Sequence, residues 1–456
     1  MCAKLNIESL AGALKQNSAF DEKLYSRFGV KRGLRNPDGT GVLAGITRVS
    51  NVHGYYIDEY EKVPCEGELF YRGVNVNDII ASVDRDDRFG YEEASWLLLF
   101  GSLPTREELE FYDVIMDEYR ELPNGFIEDM IMRAPSPDIM NKLARSVLAL
   151  YSYDENPDDN SPDNVLRQSL MLISRLPIIM TAAHQVKRRY YDNESLFLHM
   201  PIPGQSMAEN ILSMLRLNRK FTHAEAKLLD KCLILHAEHG GGNNSTFACR
   251  TLTSSGTDTF SAIAAGIGAL KGPRHGGANI KVCRMLDEIK ANVRDYKDDD
   301  EISAYLQKQL NREAGDRSGL IYGVGHAVYT LSDPRAVILR EAVEEHCDDF
   351  GMREDYELLH AVERLAPALL QNKMQDGNAI CANVDLYSGL VYRMLDIPVE
   401  LYTPLFAIAR LSGWCAHRLE EIITCRRIMR PAYRPFHGRL PYIELDDRKE
   451  NLICQD

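Results

Sequence analysis

The apolar positions of this chain fall mostly at helical spacing. From Tyr91 onward, nearly every stretch between breaks repeats its apolar residues at three or four positions, the mark of a helix with one buried face. The pattern predicts helices over 106–122, opened by the break Ser102-Leu103-Pro104-Thr105, and over 139–153, 207–217 and 224–239. Another is expected over 164–191, with Pro177 as a kink or boundary. The acidic stretch 154–163 reads as a solvated connection. Past a run of glycines, helices are expected over 259–270, 278–293, 302–312, 334–348, 355–372, 385–396 and 400–424. The first of these is small and apolar (Ala262, Ala264, Ala265, Gly266, Gly268), which predicts close helix packing. Asp298, Asp299, Asp300 and Glu301 read as a charged helix start, because negative charge is stabilised at a helix N-terminus.

Strand signals are confined to the N-terminal side. Residues 1–40 are polar and turn-rich and lead into the loop Asn36-Pro37-Asp38-Gly39-Thr40-Gly41. Alternation over 54–58 and 67–73 predicts short strands or a small hairpin. The expected class is therefore mainly α with minor N-terminal β-strands. No strand-turn-helix unit carries GxGxxG or GxxxxGK[ST], which weakens readings built on a nucleotide-binding parallel sheet.

Composition narrows the partners. The 456 residues allow roughly two or three domains. Acidic residues outnumber basic ones, 67 to 53, and no basic block interleaves with aromatics, so nucleic acid is not an expected partner. Ten cysteines are scattered without a CxxC pair, which suits a reducing compartment. The N-terminus has neither an apolar signal core nor an acid-poor transit pattern, and no apolar run is expected to reach membrane-spanning length. A cytoplasmic protein without a membrane partner is expected.

Candidate chemistry begins at His236-Ala237-Glu238-His239-Gly240-Gly241-Gly242. Two histidines three apart on a predicted helix share a face, and the glycines then free the backbone, as at the rim of an active site. The pair also fits metal ligands, or histidines covering carbonyls left open at a helix end. No Cys or carboxylate completes a zinc spacing, so no metal is expected. Four later segments share one design, a reactive side chain beside glycines or at a helix start. They are Gly272-Pro273-Arg274-His275-Gly276-Gly277, Gly323-Val324-Gly325-His326, Asp333-Pro334-Arg335 and Asn383-Val384-Asp385. Each alone also has a structural reading, a turn histidine or an N-capping Asp.

In this order and with these neighbours, the segments closely resemble the citrate synthase family. Residues 41–77 resemble its N-terminal strand region and 94–105 its LLLFG-x-LPT stretch. The resemblance implies a large helical domain, 1–275 with 389–456, and a smaller one, 276–388, that closes over the active site. It implies Claisen-type condensation of acetyl-CoA with oxaloacetate and hydrolysis of the thioester to citrate and CoA, without a cofactor. By the same resemblance Asp385 is the base that takes a methyl proton, His275 holds the thioester oxygen, and His326 polarises the oxaloacetate carbonyl. His239, Arg335, Arg410 and Arg430 hold the dicarboxylate, with His236 in possible support and Arg430 reaching across a homodimer.

Elementary chemistry fits these roles. A thioester α-carbon is a feeble acid, so one carboxylate can deprotonate it only if the enolate oxygen is stabilised as its charge grows. His275, just before a predicted helix start, is expected to be a neutral donor there. Asp385 has to be dry yet kept ionised by nearby positive groups. Arginine forks suit two carboxylates, and Arg410 lies in a strongly apolar helix, where the other reading is a salt bridge to a neighbouring helix.

The chain departs from the family at three places. Ala237-Glu238 and Gly240 stand where many relatives have Ala-Asp and Glu, Thr330 where some have a basic residue for CoA, and Gly377-Asn378-Ala379-Ile380-Cys381-Ala382 differs from the commoner pattern before the base. Lys271, Arg274, Lys281 and Arg284, near the His275 turn, read as solvated surface. Three other functions share the features: 2-methylcitrate synthase using propionyl-CoA, a silent CoA-ester-binding helical protein, and a metal-dependent hydrolase built on His236 and His239.

Overall fold

The computed structural model describes residues 7–36, 39–59, 61–374, 380–425, 427–436 and 438–448. Pro37 and Asp38 of the expected loop, Gly377, Asn378 and Ala379, and Cys2 and Cys454 lie outside the described residues. The chain forms two units, residues 1–43 with 430–456, and residues 44–429. In the first, the helices Ile7–Ser18 and Lys23–Arg27 occupy sequence that reads as polar and turn-rich. Its two segments meet where the Arg434 guanidinium lies 5.5 Å from the centre of the Phe28 ring. The 276–388 segment expected to move lies inside the second unit.

The larger unit is helical, with one antiparallel sheet of three strands, β1 (Ser50–Asp58), β2 (Glu61–Tyr71) and β3 (Val74–Asn75), among its described residues. β1 and β2 pair from Ser50↔Tyr71 to Asp58↔Glu61, with a register shift between His53 and Tyr55. Both strands begin earlier than alternation indicates, because Gly54 and Gly67 are interior residues, not boundaries. A Cβ on Gly67 would stand 2.2 Å from the Ser332 carbonyl oxygen and 2.7 Å from the Tyr329 ring. The missing side chain lets the segment after His326 lie against the hairpin, a use of strand glycine that sequence alternation does not separate from a break.

Two long helices form the middle of the core. Pro162–Tyr191 runs 30 residues with Pro177 inside it, so the proline is not a boundary. By length and composition this helix could cross a membrane, contrary to the sequence reading, but 83% of its most apolar window is buried within the protein. Tyr402–Thr424 is buried from Tyr402 to Glu421 and packs on Tyr91–Phe100, Pro162–Tyr191, His223–His236, Asn244–Thr253 and Thr259–Lys271. Thr259–Lys271 approaches as closely as its small residues predict, with a Cβ on Gly266 only 3.2 Å from the Trp414 indole.

Helix starts follow local chemistry. Thr105 and Glu108 form a capping box, as do Thr222 and Glu225, and Asp298 accepts from the Asp300 and Glu301 amides at the acidic start read from sequence. The helices Val76–Arg85 and Asn244–Thr253 escape the pattern reading, the second because the glycine run masks its start; Asn243 caps it. The helix read as 224–239 ends at His236, since the chain turns at Gly240 with φ +89.

Candidate active site

One stripe of Tyr402–Thr424 organises the site. Residues 406, 410, 413, 417 and 420 follow helical spacing and share a face, and the 236–242 turn lies along it. The Phe406 ring meets the His236 ring at 4.2 Å. Arg410 Nε donates to the His236 carbonyl at 2.6 Å. A Cβ on Gly413 would stand 2.3 Å from Glu238 Oε2 and 2.4 Å from the Ala237 carbonyl oxygen. His417 Nε2 lies 3.0 Å from Glu238 Oε1, and Glu420 accepts from the Arg48 amide at 2.6 Å.

The two opening histidines have different ring neighbours, although Arg335 and Arg410 act on both and Nε2 of each has no hydrogen-bond partner among the described residues. His236 is core: Nδ1 lies 2.6 Å from the Cys232 carbonyl oxygen, and the ring packs on Phe406 and Tyr392. Burial drives its pKa down to about 3. His239, past the helix end, sits with its ring 5.0 Å from His326 and 5.5 Å from Tyr329, and its Nε2 has no hydrogen-bond partner. Burial first, then Arg335, holds it well below the ordinary histidine range. No group of three or more His, Cys, Asp or Glu poised around a metal occurs among the described residues.

His326 comes from a loop laced to the segment before Asp385. The Gly325 amide donates to the Cys381 carbonyl at 2.8 Å, the Asn383 amide to the Gly323 carbonyl at 2.9 Å, and Asn383 Nδ2 to the Gly325 carbonyl at 2.8 Å. Gly323 has φ +79, and a Cβ there would strike Leu386, so this lacing requires glycine. His326 Nδ1 receives the Val328 and Tyr329 amides at 3.1 and 3.0 Å. An atom that accepts two N–H groups carries no proton, so the ring proton lies on Nε2.

Asp385 opens the helix Asp385–Met394, with its amide bonded to Asn383 Oδ1 at 3.0 Å. Desolvation raises its pKa to about 6; Arg335 and Arg410 pull against this and Asp333 adds to it. His275 lies three residues before Ala278–Asn292, and its Nε2 is 3.0 Å from Ser245 Oγ. Its pKa falls to about 4, from burial and then Arg410, which keeps the ring neutral. Ser245 Oγ also accepts Trp414 Nε1–H at 3.2 Å and lies 2.9 Å from Asn243 Oδ1. Its single proton is contested by Asn243 and His275, and giving it to the imidazole leaves the ring proton on Nδ1.

The arginines differ in their readiness for an anion. Arg335 is paired with Asp333 through Nε at 3.0 Å and Nη2 at 2.7 Å. Arg410 is wholly buried, stands 4.8 Å from the Phe406 ring, and has no partner for Nη1 or Nη2 among the described residues. It is not in the interhelical salt bridge that its apolar surroundings allowed for. Burial lowers its pKa to about 10. Arg430 belongs to the other unit, in chain without regular secondary structure. Of the basic residues read as solvated, Lys271 pairs with Asp138 at 3.1 Å and Lys281 reaches the Tyr322 hydroxyl at 3.2 Å.

Sequence reasoning gave no individual role to Ser245, Asn383 or Tyr329, and did not find the His417 contact to Glu238. The signal for His417 was its spacing of seven from Arg410, which puts both on one helix face.

Known proteins resemble this chain in sequence and in fold. Residues 38–432 match the family model described as citrate synthase, C-terminal domain. A citrate synthase of Synechocystis is 34% identical over 90% of this chain and 92% of its own length. A citrate/2-methylcitrate synthase of Bacillus subtilis is 30% identical over 87% and 95%. Among solved structures, the citrate synthase of Thermoplasma acidophilum, in complex with carboxymethyl coenzyme A and oxaloacetate, superposes with a TM-score of 0.75. It is 27% identical and covers 92% of this chain and 99% of its own.

Proposed function

The chain belongs to the citrate synthase family, an enzyme that condenses acetyl-CoA with oxaloacetate, and on that premise we propose how its own residues divide the reaction. Asp385 takes a proton from the methyl carbon of the thioester. Its raised pKa supports this, since a base near 6 is stronger than an ordinary carboxylate yet ionised at neutral pH. His275, neutral and hydrogen-bonded to Ser245, donates to the thioester oxygen as the enolate forms. The enolate carbon bonds to the keto carbon of oxaloacetate, and the keto oxygen takes up charge against His326 Nε2–H. Water then cleaves the thioester, releasing CoA and citrate.

The observation that carries the assignment is the Arg410 guanidinium, buried with two nitrogens unpartnered beside an equally unpartnered His239 Nε2. A buried polar group without a partner is costly, so such a cluster is built for a group from outside. A carboxylate fits it in charge and in shape. Arg335 and, from a second copy of the chain, Arg430 complete the hold on the dicarboxylate in this reading. The segment 276–388 closing over the substrates, the homodimer and a cytoplasmic location belong to the same proposal; the eight described cysteines are all free thiols, which supports a reducing compartment.

Arg410→Gln tests the assignment. Oxaloacetate titration calorimetry should show at least about thirtyfold weaker binding, the scale for losing one partner of a buried charged pair. CoA release should fall with it, for acetyl-CoA and propionyl-CoA alike. Unchanged oxaloacetate affinity would remove Arg410 from the site. In the wild type, acetyl-CoA should be the better substrate; a strong propionyl preference would make the chain a 2-methylcitrate synthase.

A further inference from the structure

Behind the site lies an array of charge that the condensation itself does not use. Glu238, fully buried, accepts from the Ser50 hydroxyl at 3.0 Å on Oε1, the atom that also faces His417 Nε2. Arg250 Nη1 lies 2.7 Å from His417 Nδ1. A guanidinium can only donate, so Nδ1 accepts, the imidazole proton sits on Nε2, and His417 bonds Glu238 as a neutral ring. Arg250 is in turn paired with Glu420 and with Glu421, each at 2.8 Å. Its positive charge is therefore offset locally, and the negative charge of Glu238 is not cancelled by its own bonding partners.

That charge faces the substrate arginine. Glu238 Oε2 has no hydrogen-bond partner and lies against Gly413, which is one helical turn from Arg410 on the same face. Gly413 admits the carboxylate to that face; any side chain there would displace it. In the empty site Glu238 supports the charged form of Arg410 more than any other carboxylate does, ahead of Asp385. Burial works against the ionised form of Glu238 itself, while the Arg410 charge and the Ser50 hydrogen bond favour it. It acts through space, because the two outer nitrogens of Arg410 stay unbonded and open to a ligand.

We propose that Glu238 is a positioning residue that serves as a fixed counter-charge behind Arg410 and limits how tightly the anions of this reaction are held, citrate most of all. Oxaloacetate brings two carboxylates and citrate three, so a fixed negative charge penalises the product more than the substrate. Binding both more tightly would gain nothing in turnover and would slow product departure. The inference rests on the reading that Arg410 holds a substrate carboxylate.

The test measures kcat, the oxaloacetate KM and the citrate inhibition constant for wild type, Glu238→Gln and Glu238→Asp. With the charge removed, citrate should bind about tenfold tighter and the oxaloacetate KM should fall about fivefold, with kcat no higher than in wild type. Glu238→Asp keeps the charge and should return both constants to within about twofold of wild type. A variant damaged only in packing would lose affinity for both ligands, and that result in folded Glu238→Gln overturns the proposal. If Glu238→Gln does not accumulate as folded protein, Ser50→Ala replaces it. Loss of that donor leaves the carboxylate less offset, so citrate should bind about twofold more weakly; unchanged or tighter binding overturns the proposal. Arg410→Gln separates the two layers. If it leaves oxaloacetate affinity intact, the reading beneath fails; if it weakens binding while Glu238→Gln does not tighten it, the counter-charge alone fails.

Discussion

Replacing Asp385 by Asn should stop the enzyme and at the same time stabilise it. The carboxylate is held at a pKa of about 6 against an ordinary 3.8, with desolvation as the leading cause. That gap corresponds to about 3 kcal/mol against the ionised form. The sign follows from linkage: a carboxyl whose folded pKa is raised binds its proton more tightly in the folded state. Its cost to stability is absent below the unfolded pKa, grows as pH rises from about 4 to 6, and is full above. Asn matches the shape and never ionises, so it removes the cost at pH 8 and nothing at pH 4. For a chain of this length, about 3 kcal/mol moves Tm by about 3 °C. Calorimetry of the unliganded proteins at several pH values, with chromatographic CoA release at pH 8, checks both halves. Turnover should fall between about 10² and 10⁴-fold, while Tm at pH 8 rises and the gain vanishes near pH 4. An inactive variant that is less stable than wild type at pH 8, or equally stabilised at every pH, would falsify the account of a strained, dry base.

Two further outcomes follow from the geometry. The kcat/KM profile for acetyl-CoA should show an acid limb centred near pH 6, falling about tenfold per pH unit as Asp385 protonates and steepening only near pH 4, where His275 charges; a flat profile from pH 5 to 7 would exclude Asp385 as the base. Gly67→Ala should lower kcat/KM by about tenfold or more and cost about 1–3 kcal/mol in denaturant unfolding, because the new Cβ pushes the Ser332 carbonyl in the segment that carries His326 and Arg335; wild-type kinetics would show that this segment yields freely.

The elements most legible in the sequence are those whose apolar stripe or cap is local. Arg106–Glu118, Met207–Leu215 and Asp299–Leu310 announce their starts through Thr105, Ser206 and Asp298. The helix end at His236 did not show, because His236 and His239 keep helical spacing while the Gly240 turn decides where the helix stops. The candidate site residues were readable as a set through family resemblance, but their bonding was not. That Arg335 is already paired with Asp333 while Arg410 is bare depends on side-chain directions that no spacing encodes. Gly54 and Gly67 were visible only as interruptions, since their purpose is a neighbour more than 250 residues away along the chain.

The stripe on Tyr402–Thr424 also constrains how this protein can be altered. Four successive contacts along one helix face read the opposing turn like teeth on a rack, with Glu420 on Arg48 beyond them, and each added or deleted residue would rotate those beyond it by about 100°. A deletion between Arg410 and His417 would therefore leave Arg410 in register and turn the far contacts away, or the reverse. Substitutions can be made singly on this helix, but its length between those two positions is fixed. A segment borrowed from another scaffold would have to span both positions, together with the 236–242 turn it meshes with.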